Sequence, residues 1–95
     1  VTSSPTEIDR FDITKYRSAK YVVQVDNGSS QYEVSEVLVV HNGTTATRTQ
    51  YNRIYTGAAS LGSVTTSIVS GNVIVYYTGV AASNTVKVKA DYIAI

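Results

Sequence analysis

The chain has no cysteine, no methionine and no tryptophan, and it holds one proline and one histidine in 95 residues. Without cysteine, neither a disulfide framework nor a thiolate metal site can form. A lone histidine, His41, cannot make a zinc centre without two or three further ligands converging on it. Asp9, Asp12 and Asp26 lack the dense acidic spacing of a calcium loop. No metal and no cofactor is therefore expected. Eight basic and seven acidic residues leave a net charge of +1, which is no electrostatic footprint for nucleic acid or an anionic membrane. No apolar run approaches the roughly 20 residues that span a bilayer, and no signal-peptide pattern is present. The missing methionine suggests a processed chain or one domain of a longer protein.

Helical signals are scarce as well. Leucine occurs only at Leu38 and Leu61, and no stretch keeps an i, i+3, i+4, i+7 apolar pattern. Valine, isoleucine, threonine and tyrosine dominate instead, and these stiff or flat side chains suit a pleated surface. Three turn signals punctuate the alternation: "DNGS" at Asp26–Ser29, "HNGT" at His41–Thr44 and "SGNV" at Ser70–Val73. Asn-Gly favours the type I′ turn because both residues tolerate φ > 0. The first two also match the N-glycosylation acceptor pattern, but the hairpin reading explains the flanking alternation too.

Two-residue turns at Asn27-Gly28 and Asn42-Gly43 predict a meander of strands at about 16–26, 31–41 and 44–55. In that register Tyr21 faces Val34 and Val34 faces Tyr51. The predicted core face carries Tyr21, Val23, Val25, Val34, Leu38, Val40 and Tyr51, with Glu36 beside an arginine or a tyrosine hydroxyl. The opposite face carries Lys20, Gln24, Glu33, Ser35, Arg48, Gln50 and Asn52. Val37 and Val39 interrupt that polar face, so they form the candidate interface patch. A turn at Gly71-Asn72 predicts strands at about 63–70 and 72–78. The segment 84–95 alternates with Val86, Val88, Ala90 and Tyr92 inward. A short first strand fits Ile8–Ile13. The expected fold is an all-β antiparallel sandwich of about six to eight short strands joined by tight Asn-Gly and Gly-Asn hairpins. Residues 1–9 read as a polar linker or processed end, and 10–95 as a single domain.

Function is thinner. His41 has no partner base, acid or nucleophile placed by the sequence, so it reads as the residue before a turn, pointing away from the core. No nucleophile elbow, phosphate loop or dinucleotide fingerprint occurs. No catalytic residue is assigned, and the chain is not expected to be an enzyme. Eight tyrosines invite a glycan-stacking role, for which Tyr55 and Tyr76 are the exposed candidates. Core packing accounts for most of the others.

"YRSAKYVVQV" at Tyr16–Val25 and "YEVSEVLVVHNGTTATRTQY" at Tyr32–Tyr51 resemble a recurring, often C-terminal, domain of tailed-phage virion structural proteins, common in marine and cyanobacterial phages. "LGSVTTSIVSGNVIVYYT" and "NTVKVKADYI" follow it in order and spacing, so the resemblance covers about residues 11–95. It implies a non-enzymatic module of a fibre, baseplate, neck or capsid decoration, located in the virion and assembled in the host cytoplasm. The implied partners are other virion proteins, a second copy of the chain, or a host-surface glycan, with no nucleic acid and no membrane insertion. No functional residue carries over. A host-attachment module or an Ig-like adhesin domain shares much of the same patterning.

Overall fold

The computed structural model describes residues 4–80 and 84–95, in which seven strands and no helix occur. The strands are β1 (Thr6–Asp12), β2 (Tyr16–Asp26), β3 (Tyr32–His41), β4 (Ala46–Tyr55), β5 (Gly62–Val69), β6 (Asn72–Gly79) and β7 (Thr85–Ala94). They form two antiparallel sheets, one of three strands in the order β1-β6-β5 and one of four in the order β4-β3-β2-β7. The sheets pack face to face. Phe11, Val64, Val73, Val75 and Tyr77 from the smaller sheet meet Ala19, Tyr21, Val23, Val25, Val37 and Val39 from the larger. Alternation along β2 and β3 puts every second side chain into this layer, where burial of each large apolar side chain stabilises by about 1.5–3 kcal/mol. The expected all-β sandwich is the fold observed. Its first strand starts at Thr6, so the division expected after residue 9 falls inside β1. The small-residue stretch Gly79–Ser83 reads from the sequence as the connection to the last strand and lies partly outside the described residues.

The expected register fails at the first turn. Asp26 pairs with Tyr32, leaving a five-residue loop, Asn27–Gln31, instead of a two-residue turn. The cause is side-chain capture of the loop backbone. Asp26 Oδ1 accepts the Gly28 N–H at 2.8 Å, and Asn27 Oδ1 accepts the N–H groups of Ser29 at 2.8 Å and Gln31 at 3.2 Å. Such Asx bonds compete with the type I′ turn. Three extra residues shift the pairing by an odd number, which turns β3 over. Tyr21 therefore lies opposite Val37, not Val34. Val37 and Val39 are 0% and 2% exposed, whereas Leu38 and Val40, expected in the core, are 46% and 48% exposed. Glu36 faces outward, bonded by Asn52 at 2.9 Å and paired with Lys20 at 3.5 Å. Glu33 and Ser35, expected outside, are buried.

The other two hairpins differ from expectation by even shifts, which preserve the faces. His41 pairs with Ala46 across a four-residue loop in which Asn42 Oδ1 accepts the N–H of Thr44 and of Thr45. Val69 pairs with Asn72, so the tight turn is Ser70-Gly71, both at positive φ, 51° and 80°.

Candidate functional site

The inward turn of β3 assembles a polar cluster between the sheets. Glu33 is 3% exposed. Its carboxylate accepts the Leu61 backbone N–H at 2.6 Å and the Ser60 hydroxyl at 2.9 Å, and Arg53 Nη1 lies 3.5 Å away. Arg53 also donates to Ser60 Oγ at 2.6 Å, to the Gly62 carbonyl at 3.0 Å and to Gln50 Oε1 at 2.8 Å. Gln50 accepts the Val64 N–H and donates to Ser35 Oγ, while Arg48 Nε donates to the Val64 carbonyl. These bonds tie β4 to β5 across the gap between sheets. Arg48 and Gln50 thus face inward, contrary to expectation, because they share a face with the overturned β3. Asn52, at φ 52°, marks a register shift beyond which Val34 pairs with Ile54. The bulge brings Arg53 round to the Glu33 side.

A carboxylate beside a serine hydroxyl is chemically suggestive, but the geometry is that of a clamp. Ser60 Oγ donates to Glu33 and accepts from Arg53, so both ends of the hydroxyl are engaged. The carboxylate is held by charge and by a backbone N–H. The cluster anchors the crossover loop from β4 to β5. Tyr77 closes it from the opposite sheet, its hydroxyl packed against Gly62 and, among the described residues, without a hydrogen-bond partner. Burial first, then the negative charge of Glu33, raises the Tyr77 phenol to about 12 against an opposing effect of Arg53. A second bracket spans the other side of the sandwich. The Tyr21 and Tyr92 hydroxyls both donate to Asp9 Oδ2, at 2.8 and 2.5 Å, joining β2 and β7 to β1.

His41 is buried, not outward-pointing. Its Nδ1 accepts the Gly43 N–H at 3.0 Å and its Nε2 lies 2.7 Å from the Tyr16 carbonyl. That pattern assigns the Nε2–H tautomer, because one nitrogen must accept and the other donate. The ring closes the β3–β4 turn, as the structural reading anticipated, but from the core side. Tyr55 and Tyr76 sit on different sheets, at the end of β4 and in the middle of β6. They are not brought together into a stacking platform. Among the described residues no group of three or more His, Asp or Glu side chains converges to hold a metal ion.

What the turned β3 leaves outside is an apolar groove on the free face of the larger sheet. Two cross-strand rows build it, Thr47–Val40–Ser18–Ile93 and Thr49–Leu38–Lys20–Asp91. Leu38, Val40 and Ile93, the last 66% exposed, form the floor, with Lys20 and Asp91 at its rim. Its volume is about 620 Å³. A second hollow of about 530 Å³ follows along the same face between Val22, Val34 and Ile54. The candidate patch at Val37 and Val39 is thus corrected by one residue along the strand: those valines belong to the core, and their neighbours Leu38 and Val40 face solvent. The composition of "EVLVVH" carries no signal for which half of the alternation is inside. Only the loop length before it decides.

The molecule is thus an all-β sandwich with two internal polar brackets and one apolar outer face. No family model, no curated protein and no solved structure matches the chain.

Proposed function

We propose that the chain is a non-enzymatic structural module of a tailed-phage virion that works by protein–protein assembly through the free face of its four-stranded sheet. The observation that carries the assembly surface is the exposed apolar group of Leu38, Val40 and Ile93 on one face of the four-stranded sheet. Contiguous apolar area of this kind, rimmed by charge, marks contact surfaces more often than catalytic ones. The assignment to a virion rests on the resemblance of residues 11–95. In this reading the chain is made in the host cytoplasm and ends in the particle, beside other virion proteins.

The test is mass spectrometry of purified particles of the phage encoding this sequence, for wild type and for Leu38→Asp with Val40→Asp. Wild-type peptides should be present and the variant chain should fold but be depleted from particles. Absence of the wild-type chain from purified particles would remove the virion reading. Equal incorporation of the variant would remove the groove from it.

A further inference from the structure

The four outer edges of the two sheets are not equivalent. On one side β4 and β5 are closed against each other, because Gln50 and Arg48 occupy the Val64 N–H and carbonyl and Arg53 occupies the Gly62 carbonyl. The ladder of β4 is broken by the bulge at Asn52, and that of β1 by a shift between Glu7 and Asp9. β7 is different. It pairs with β2 without interruption from Thr85 to Ile93. Among the described residues, no side chain hydrogen-bonds to its backbone over that stretch. A long, regular, uncovered edge is a template for another strand.

The charges on β7 select which strand. Its outer-face residues are Lys87, Lys89, Asp91 and Ile93, alternating with the inward Val86, Val88 and Ala90. Consider β7 laid antiparallel against β7 of a second copy about a two-fold axis normal to the sheet. Opposed residues must share a face, so one residue stands opposite itself. With Lys89 self-opposed, or Asp91, like charges meet. With Val88 self-opposed, Lys87 meets Lys89. With Ala90 self-opposed, Lys89 meets Asp91 twice by symmetry, Lys87 meets Ile93, and no like charges are opposed. Directly opposed opposite charges stabilise a pair of strands and like charges destabilise it. The same basic residues that discourage indiscriminate pairing of this edge therefore favour one register with itself.

We propose that β7 is a homodimerisation edge, pairing antiparallel with β7 of a second copy with Ala90 on the two-fold axis to make one continuous eight-stranded sheet. The two outer grooves then lie on the same side of that sheet, with both copies of Ile93 beside the join. The inference stands on the β7 edge and needs no virion partner, so it survives or fails independently of the proposed function.

The chain's lack of cysteine makes the test specific. Ala90→Cys places two thiols across the axis, where opposed Cβ atoms are about 4.5–5.5 Å apart, close to disulfide reach. Thr85→Cys puts them roughly 30 Å apart in the same dimer. Under mild oxidation Ala90→Cys should give a covalent dimer and Thr85→Cys should not, with circular dichroism confirming both folds. Light scattering of the unmodified chain across a dilution series should show a dimer that dissociates. Lys89→Asp should weaken it roughly tenfold, two repulsions replacing two attractions, and adding Asp91→Lys should restore it. A wild-type monomer at every concentration would overturn the proposal. So would equal cross-linking at positions 85 and 90. A dimer that Leu38→Asp abolishes and Lys89→Asp leaves intact would overturn it too, while retaining the groove as the contact.

Discussion

Glu33 on β3 accepts the backbone N–H of Leu61 at 2.6 Å, and this bond fastens the crossover loop of one sheet to the interior of the other. Around it Ser60 and Arg53 complete a cluster in which the Glu33 carboxylate is buried while Arg53 reaches toward solvent. Removing one partner from a buried charged cluster leaves the others unpaired, which destabilises far more than the pair itself contributes. Glu33→Ala should lower the unfolding free energy by about 3 kcal/mol, and Glu33→Gln by less because an amide oxygen still accepts from Leu61. Urea denaturation of the three proteins measures this. Equal stability of Glu33→Ala and wild type would show that the clamp is ornamental.

Gly62 and Tyr77 make a second, sharper case. A Cβ at position 62 would stand 2.3 Å from the Thr78 carbonyl and 2.4 Å from the Tyr77 hydroxyl. Gly62→Ala should therefore destabilise by about 2 kcal/mol through overpacking. Combining it with Tyr77→Phe should recover only part, since the Thr78 backbone clash persists. Tyr77→Phe alone should be neutral or stabilising, because the buried hydroxyl it deletes has no partner among the described residues. Thermal unfolding of the three variants checks all three expectations.

Alkaline pH should loosen the fold. Tyr77 and Tyr92 are each raised to about 12, in both cases by burial first, with Asp9 adding to the effect at Tyr92. Tyr21 is raised as well, by burial and then by its bond to Asp9. A phenol whose folded value lies above its unfolded value of about 10 keeps its proton when folded and loses it when unfolded. Its stabilisation is complete below about pH 10 and is lost as pH rises through the folded value near 12. Stability measured in urea should fall between about pH 10 and pH 12, and phenolate absorbance should rise in step with unfolding. A flat profile over that range would contradict the brackets.

His41 should behave as a fastener. Nitrogen NMR of the ring should show the Nε2–H tautomer, protonated toward the Tyr16 carbonyl and accepting at Nδ1. His41→Ala should destabilise by about 2 kcal/mol, since the Gly43 N–H and the Tyr16 carbonyl both lose a partner. An Nδ1–H ring would show that the turn is closed some other way.

The strands were legible because the chain is punctuated locally. Gly43, Gly71 and the valine-rich runs between them act over a few residues, so all seven strand positions are readable to within about two residues. The face of β3 was not legible, because it depends on a loop whose length is decided by Asp26 and Asn27 side chains capturing backbone N–H groups. One odd shift moved Val37 and Val39 into the core, brought Leu38 and Val40 out, and exchanged Glu36 for Glu33 as the buried carboxylate. The partners of Glu33 come from Arg53, Ser60 and Leu61, and no local pattern marks them. The apolar groove was hidden for the same reason as the register, since two of its three floor residues, Leu38 and Val40, were expected inside.

The proposed working surface is the free face of the four-stranded sheet. Covalent footprinting of Leu38, Val40 and Ile93, in the isolated chain at dilution and in purified particles, measures it directly. These side chains should label readily in the isolated chain and be strongly protected in the particle, while exposed residues of the smaller sheet, such as Val69, label alike in both. Equal labelling of the groove in both states would contradict the claim.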